Sequence, residues 1–236
     1  LYIAADCQDV RFCIDNALML MYAFRTAPLM TLEMHAAVVV KGEAMGDGLL
    51  AIGKEKSEDW GYLFLGHSGT GKSTHTELWQ TRFQGHAGDR YKATVINGDK
   101  PLIRRAPDGR FWAYGTPWMG KEGTGVNRRC PLNAICFLEQ GPDNRVTVTA
   151  TADAAARIME ATVLPPDAEG QDRMAALVGA TVRDIPAFTL TCRPDIEAAE
   201  ARRKPSFPKK TPQQTESAPI STSDMDRMLA ELNAFP

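Results

Sequence analysis

Residues 66–73 of the chain read GHSGTGKS, which satisfies the pattern GxxxxGK[ST] at every specified position. An apolar segment typical of a strand, GYLFLG at residues 61–66, precedes the run, and a segment of helical pattern at residues 73–83 follows it. Glycines at these positions let successive backbone N–H groups point inward around an anion, and the helix adds the positive end of its dipole. A turn without a ligand is the alternative, but such a turn requires neither the strand nor the helix. The stretch therefore predicts a phosphate-binding loop in an α/β protein.

The side chains of this loop indicate which ligand it binds. Lys72 supplies the charge that bridges terminal phosphates, and Ser73 offers a hydroxyl to Mg²⁺. His67 is expected to contribute its backbone N–H rather than its ring. The predicted cofactors are therefore ATP (or ADP) and Mg²⁺. The residues expected to bind the nucleotide are Gly66, His67, Ser68, Gly69, Thr70, Gly71, Lys72, Ser73 and Thr74.

A carboxylate for the metal ion is found at the end of the next predicted strand. The strand at residues 93–97 is followed by Gly98 and Asp99. Mg²⁺ bound to nucleotide commonly takes one or two carboxylates in addition to phosphate oxygens. Asp99 is therefore predicted to bind the metal together with Ser73. An aspartate that serves only the turn before Pro101 is the alternative, because Asp is common in turns.

Further polar candidates lie outside the loop. The segment at residues 116–131 is rich in glycine and charge, and long loops in compact domains are often functional. Its Lys121, Arg128 and Arg129 are cations of the kind that stabilise a transferring phosphoryl group, and a solvated charged loop is the alternative. His35 precedes the strand that enters the loop, and it is either a polar group of the site or a core histidine with a backbone partner.

Composition and charge exclude several classes of partner. The chain has 236 residues, 44% of them hydrophobic, and a formal net charge of -2. A charge this small gives no long-range field that would attract nucleic acid or a membrane surface. The most apolar stretch, at residues 14–30, contains Asp15, Asn16 and Arg25, and it falls short of the roughly 20 apolar residues of a membrane span. It is expected to be a core helix.

The five cysteines are odd in number and widely spaced, without a CxxC pair. This pattern favours a reducing compartment, and the expected location is cytoplasmic. The chain opens without the basic and apolar regions of a signal peptide, so export is not expected.

The remaining pattern predicts a mixed α/β domain over residues 1–203. A helix at residues 10–27 is expected to bury Ile14, Ala17, Leu18, Met21 and Phe24, which recur at helical spacing. A hairpin is expected across the turn at residues 107–110. Residues 204–223 are predicted to be a flexible linker, and residues 224–235 a helix that docks at an undetermined place. The other predicted strands are at 35–42, 61–66, 93–97, 135–140, 145–150 and 187–192, and the other predicted helices at 73–83, 153–164, 171–184 and 195–203.

Four segments together resemble the P-loop kinase family related to HPr kinase/phosphorylase, which is similar in fold to the ATP-dependent phosphoenolpyruvate carboxykinases. The resemblance covers about residues 12–200 and implies an α/β fold whose mixed β-sheet packs the P-loop helix on one side. The segments that carry it are HAAVVVKG (35–42), GYLFLGHSGTGKSTHTELW (61–79), VINGDKPLI (95–103) and YGTPWMGK (114–121).

The resemblance also implies roles for individual residues. His35 matches a histidine that precedes the P-loop strand, Asp99 matches the second acid of a paired-aspartate strand end, and Lys121 lies in a loop near the phosphates. Together with Arg128, these residues are the catalytic candidates. Relatives often form rings, which suggests a homo-oligomer.

One departure from the family concerns position 98. Relatives have two adjacent aspartates where this chain has Gly98 and Asp99, and the pair divides metal binding from deprotonation of the acceptor hydroxyl. Glycine does neither. Three alternatives stay open: catalysis is lost while nucleotide binding remains, another group is the base, or the acceptor needs little deprotonation.

The leading hypothesis is a Mg-ATP-dependent phosphotransferase that acts on a hydroxyl of a small molecule or of a protein serine. A nucleotide-binding regulatory protein without turnover is the second hypothesis, motivated by Gly98. A carboxykinase-like activity is the third. It is weaker because the lysine and histidine ligands of a second metal have no counterpart in this sequence.

Overall fold

The computed structural model of the protein describes residues 9–43, 59–84 and 91–192. The predicted helix at 195–203, the linker and the C-terminal helix lie outside these residues. Within them the fold is mixed α/β, with four helices and two sheets. The helices are α1 (Val10–Thr26), α2 (Lys72–Arg82), α3 (Thr151–Ala161) and α4 (Ala168–Asp184). The strands are β1 (Thr31–Glu33), β2 (Ala36–Glu43), β3 (Trp60–Leu65), β4 (Tyr91–Asn97), β5 (Leu102–Arg105), β6 (Phe111–Tyr114), β7 (Arg129–Pro131), β8 (Ala134–Gln140), β9 (Arg145–Val148) and β10 (Ala187–Cys192).

The larger sheet has six strands in the order β4-β2-β3-β8-β10-β9. Strand β8 is parallel to both β3 and β10, whereas β2 is antiparallel to both of its neighbours, β3 and β4. The two strands that flank α2 therefore run in the same direction without being adjacent. As a consequence, β3 and β4 end at the same edge of the sheet, which brings the glycine loop and residues 97–99 together.

The two faces of this sheet are covered by different layers. Trp79 of α2 and Phe83, which directly follows α2, pack with Tyr62 and Phe64 of β3 on one face. On the other face, alternating residues such as Val38 and Leu63 pack with α3, α4 and the smaller sheet. Side chains of β-strands alternate between faces, so one strand contributes to both cores. Full burial of a side chain such as Phe64 contributes about 2 to 3 kcal/mol.

The smaller sheet is antiparallel in the order β1-β5-β6-β7. The predicted hairpin is confirmed as β5 and β6, and Gly109 in its turn has φ 85°, a left-handed conformation that favours glycine. Two strands differ from the sequence-based expectation. The pattern gave no sign of β1, because a strand of three residues is too short for a recognisable period. The end of the predicted loop at 116–131 forms β7, which pairs with β6.

The helix predicted at residues 10–27 is present as α1, but its predicted buried face is wrong. Ile14, Leu18 and Met21 are 41%, 54% and 59% exposed, whereas Ala23 and Thr26 are buried. Apolar residues surround most of this helix, so their spacing does not select the face that packs. Among the described residues, no helix has the length and apolar character needed to cross a membrane.

Candidate functional site

The glycine loop lies between the end of β3 and the start of α2, as the sequence predicts. Gly69 and Gly71 have φ values of 86° and 103°, and both are left-handed conformations that side chains rarely adopt. Gly71 is also the residue before the first turn of α2. The Lys72 ammonium folds back over the loop and donates hydrogen bonds to the carbonyl oxygens of Gly66 (2.7 Å) and His67 (3.2 Å). The N-terminus of α2 and the Lys72 charge thus lie at one place, which suits an anion.

The loop forms one wall of a cavity of about 470 Å³, a volume typical of ligand sites. His35, Asp99 and Lys121, which the sequence analysis singled out separately, all line this cavity. Arg128 is not among its lining residues, and Gly66, His67 and Thr70 shape the loop without lining it. The lining residues are His35, Ser68, Gly69, Gly71, Lys72, Ser73, Thr74, Gly98, Asp99, Gly120, Lys121 and Glu122.

A second group of polar residues at the cavity is centred on the Asp99 carboxylate. Its Oδ1 lies 3.2 Å from His35 Nε2 and 3.3 Å from Lys100 Nζ. The hydrogen bond from His35 and the charge of Lys100 lower the pKa of Asp99, although burial acts in the opposite direction. The backbone N–H of Ala36 donates to the Asp99 carbonyl (2.9 Å), which fixes the start of β2 beside this residue. His35 and Asp99 are therefore brought together by strand pairing rather than by sequence proximity.

Asn97 holds the chain in position where β4 ends. Its side chain is fully buried, and its Oδ1 accepts hydrogen bonds from the backbone N–H groups of Asp99 (2.8 Å) and Lys100 (2.7 Å). Its Nδ2 donates to Oγ1 of Thr116 (3.0 Å), and that hydroxyl donates to the Lys100 carbonyl (2.7 Å). An asparagine in this role forms a turn stabilised by its own side chain. Asn97 and Thr116 were not predicted to have a role in the site, although they lie within the segments VINGDKPLI and YGTPWMGK.

The segment that carries Lys121 is anchored to the end of β4. Gly98 N–H donates to the Thr124 carbonyl (2.9 Å), and Val126 N–H donates to the Ile96 carbonyl (3.0 Å). These bonds place the segment over position 98. A Cβ atom at Gly98 would lie 3.1 Å from the Thr124 oxygen, which is closer than most such contacts. Glycine at position 98 thus allows the Lys121 segment to pack closely against the strand end.

Arg128 and Arg129 lie at the far end of this segment. The Arg128 carbonyl accepts a hydrogen bond from Gly115 N–H (2.9 Å), and the Arg129 guanidinium lies over the Trp112 ring at 4.5 Å. The structure therefore brings Lys121, but neither arginine, to the wall of the cavity. The predicted catalytic role of Arg128 has no support from this geometry.

Burial changes the acid–base behaviour of two groups near the cavity. Burial lowers the pKa of Lys72, and the charge of Asp99 partly restores it. Burial raises the pKa of Glu33 to about 7, with the charge of Lys100 acting in the opposite direction. Glu33 is only 2% exposed, and neither of its carboxylate oxygens has a hydrogen-bond partner. Glu33 was not predicted from the sequence, because nothing in its local pattern distinguishes it.

The oxygen donors in the cavity suit Mg²⁺ that is bound together with a phosphate group. They do not suit a metal ion held by protein ligands alone. The described residues contain no group of three or more His, Cys, Asp or Glu side chains that could hold a metal ion. Ser73 and Asp99 nevertheless line one cavity and supply two oxygen donors. Mg²⁺ prefers oxygen ligands and usually takes the rest of its coordination from phosphates and water.

No protein-family model matches this chain, and no curated protein matches it either. The geometry of the cavity therefore carries the functional proposal.

Proposed function

We propose that the protein is a Mg-ATP-dependent phosphotransferase that transfers a phosphoryl group to a hydroxyl of a small molecule or of a protein serine. The observation that carries this proposal is the shared cavity, in which a complete phosphate-binding loop faces Asp99 and His35. A phosphoryl-transfer site needs a phosphate cradle, a metal carboxylate and a group beside the acceptor oxygen. Residues of the kinds that supply these three components line a single cavity in this protein, which supports the proposal.

The loop wall would hold the nucleotide. Backbone N–H groups of residues 68–73 and the Lys72 ammonium would bind the phosphates, with Lys72 exchanging its two loop carbonyls for phosphate oxygens. Ser73 Oγ and an oxygen of Asp99 would hold Mg²⁺. When bound, the metal ion neutralises charge on the β- and γ-phosphates. Lys121, on the facing segment, would stabilise charge on the transferring group.

His35 is the group that would accept the proton of the acceptor hydroxyl. Its ring is partly exposed and lines the cavity, and its Nε2 is held by Asp99 Oδ1 at 3.2 Å. A carboxylate that holds a histidine ring fixes its orientation. His35 would then be the base although position 98 has no carboxylate, which is the second of the three alternatives that Gly98 leaves open.

A nucleotide-binding regulatory protein without turnover is the second candidate. The specific observation in its favour is the absence of a carboxylate at position 98, where the carbonyl of Thr124 covers the backbone. In that function, nucleotide would bind at the loop wall, but no acceptor would be phosphorylated.

The proposal also includes an HPr kinase or phosphoenolpyruvate carboxykinase-like fold. The mixed sheet, with α2 on one face and α3 and α4 on the other, is the arrangement expected of an HPr kinase or phosphoenolpyruvate carboxykinase-like fold. A cytoplasmic location and a homo-oligomeric state complete the proposal, and size measurement in solution tests the latter.

The test combines binding with transfer. ATP and ADP binding is measured by calorimetry with and without Mg²⁺, and transfer is measured with γ-labelled ATP against hydroxyl compounds and serine-containing proteins. We expect Mg-dependent binding and label transfer, and loss of both in Lys72→Ala. Arg183→Ala, which removes a cation at the end of α4, is the control and should match the unmodified protein. Absence of Mg-dependent binding would refute both candidates, whereas binding without transfer would favour the regulatory protein.

A further inference from the structure

The helix α1 leaves a line of apolar side chains uncovered. Because each residue turns an α-helix by about 100°, residues spaced four, four and three apart lie on one side of it. Four apolar residues of α1 have this spacing and are between 41% and 59% exposed: Val10, Ile14, Leu18 and Met21. The buried Ala23 points to the opposite side. We call the four residues the α1 stripe, and a continuous apolar surface of this kind commonly marks an interaction site.

Arginine residues lie at both ends of the α1 stripe. Arg11 and Arg25 are each seven residues from Leu18, so they are nearly in line with it along the helix. Neither guanidinium forms an ion pair with a carboxylate of the residues that the structure describes. Asp15, the one acidic residue of α1, lies further round the helix. The stripe therefore suits an apolar partner that carries negative charge at its borders.

A second copy of α1 would fit this surface poorly. Two α1 stripes that overlap in antiparallel orientation meet at Leu18, and this places Arg11 of each helix opposite Arg25 of the other. In parallel orientation, each arginine faces its own counterpart. Like charges that face each other across a contact are costly. A helix with acidic residues is therefore the better occupant.

The chain itself contains a segment with these properties. Residues 224–235, which are predicted from the sequence to be helical, lie outside the described part of the structure. On a helix, their apolar side chains would fall within about 120° of its circumference. Asp224 and Glu231 would border that apolar side, whereas Arg227 would lie further round. The apolar residues are Met225, Met228, Leu229, Leu232 and Phe235.

The connecting chain is long enough to bring this segment to α1. The strand β10 ends at Cys192, and residues 193–223 lie between it and the segment. A connection of this length spans at most ~100 Å when extended, and its ends would be roughly 30 Å apart as a flexible coil. The second distance is comparable with the diameter of a small domain. The α1 stripe is therefore within reach of the segment.

We propose that the α1 stripe is the docking site of residues 224–235 of the same chain. The segment packs as a helix along α1 with its apolar side against the stripe and its acidic residues beside Arg11 and Arg25. Removal of half-exposed apolar side chains from water drives the contact, and the charges at its borders select the partner. This docking requires neither nucleotide nor phosphoryl transfer, so it does not depend on the proposed function.

The test is photochemical cross-linking in the full chain. Leu18 is replaced by the photoreactive residue p-benzoylphenylalanine, which keeps an apolar side chain in the stripe, and the cross-linked peptides are identified by mass spectrometry. Equal amounts of ¹⁴N-labelled and ¹⁵N-labelled protein are mixed, because a link within one chain then carries a single label. The same photoreactive residue in place of Val148, which is 58% exposed on β9, is the matched control.

We expect position 18 to form links with residues 224–235 of the same chain, in a yield about tenfold above that from position 148. Leu232→Asp should lower the yield from position 18 by about tenfold, because it places a charge in the apolar contact. Arg227→Gln, which changes a residue away from the apolar side of the segment, should leave the yield unchanged.

Charge reversal tests the borders of the contact. Asp224→Lys together with Glu231→Lys should lower the yield by roughly threefold, since ion pairs at exposed borders are weak. Addition of Arg11→Glu and Arg25→Glu should restore the yield, because the signs of the charges are then opposite again.

Several results would overturn the proposal. They are links from position 18 to a second copy of the chain, absence of links to residues 224–235, and an equal yield of such links from position 148. A yield that charge reversal does not lower, or that the combined variant does not restore, would also overturn it. Circular dichroism of each variant checks that the fold is kept.

Discussion

The part of the cavity formed by residues 66–73, the loop wall, offers backbone groups, hydroxyls and one lysine, whereas another part of the cavity offers the side chains of His35 and Asp99. We call His35 and Asp99, together with Lys100, which pairs with Asp99 but is not among the lining residues, the charged wall. In the loop wall, the Lys72 ammonium is satisfied by two carbonyl oxygens of its own loop. In the charged wall, the His35 ring and the Lys100 ammonium share a single carboxylate oxygen. One wall is held by local geometry, and the other by a balance of charges.

This difference indicates how each wall responds to change. A ligand at the loop wall replaces hydrogen bonds that the loop makes to itself, so its binding depends on the shape of the loop and on one charge. A ligand at the charged wall changes how the existing charges are paired. We therefore expect substitutions in the loop wall to abolish ligand binding. Substitutions in the charged wall should instead change how ligand binding depends on metal and pH.

The largest expected effect is that of Lys72→Ala on the loop wall. Loss of charged hydrogen bonds to two phosphates should weaken nucleotide binding by about a thousandfold, which corresponds to roughly 4 kcal/mol. The measurement is calorimetric titration of ADP with Mg²⁺. Lys72→Arg keeps the charge and should recover part of the affinity. An alanine variant that binds as tightly as the unmodified protein would show that the loop wall holds no phosphate.

A smaller effect is expected for Asp99→Asn in the charged wall. Removing the carboxylate should weaken metal-dependent nucleotide binding by about a hundredfold, because Mg²⁺ strongly prefers charged oxygen ligands. Nucleotide binding in the presence of a chelator should not weaken, since the loop wall is unchanged. Parallel titrations with Mg²⁺ and with chelator separate the two contributions. If Asp99→Asn weakened nucleotide binding equally with Mg²⁺ and with chelator, the contributions of the two walls would not be separable.

Local sequence periodicity determined which parts of the fold could be predicted. Most strands and helices have local periods, and the sequence therefore indicated the mixed α/β class, the hairpin of β5 and β6 and the helix α1. The face of α1 was not predictable, because apolar residues such as Leu18 and Met21 occur on its exposed side. The strand β1 has only three residues, and its existence depends on pairing with β5.

The residues of the site differ in how far the local sequence identifies them. The phosphate loop is a contiguous motif, so its residues could be identified from spacing alone. His35, Asp99 and Lys121 were singled out individually, and the structure places them in one cavity while their roles stay predictions. Lys100 was not singled out although it follows Asp99 directly, because nothing in the local sequence indicates that its ammonium contacts the Asp99 carboxylate. The position of Glu33 in the fold depends on the register of β1 against β5, which the local sequence does not encode.

Glu33, which lies outside the charged wall, should make the stability of the protein depend on pH. Burial raises the pKa of this residue from 4.5 to about 7, so between these values the folded protein holds a proton that the unfolded chain has released. Stability therefore falls as pH rises through this window, by roughly 2 to 3 kcal/mol. Glu33→Gln should remove this contribution, as measured by urea unfolding at several pH values between 4.5 and 7.5.

The control for this measurement is Asp108→Asn. A hydrogen bond from the Arg110 side chain lowers the pKa of Asp108, so this residue titrates below the window in both folded and unfolded protein. Its substitution should leave the pH dependence between 4.5 and 7.5 unchanged. A Glu33→Gln variant with the same pH dependence as the unmodified protein would mean that Glu33 is already ionised and paired.

The smallest expected effect concerns Gly98, where the charged wall meets the segment that carries Lys121. A Cβ at this position would lie 3.1 Å from the Thr124 oxygen, and that oxygen accepts the hydrogen bond of Gly98 N–H. The oxygen cannot move away from the Cβ without lengthening this bond. Gly98→Ala should therefore lower the free energy of unfolding by roughly 1 kcal/mol, in spite of the entropic gain that alanine usually gives.

Gly179→Ala provides a matched control for the Gly98 substitution. Gly179 lies on the exposed side of α4, where an added Cβ meets no atom within 4 Å. Alanine should raise the free energy of unfolding there by about 1 kcal/mol, because it is the better helix former. Urea unfolding of the two variants should thus give changes of opposite sign. If Gly98→Ala were also stabilising, the Thr124 carbonyl would have room to recede, and an aspartate at position 98 would fit beside Asp99.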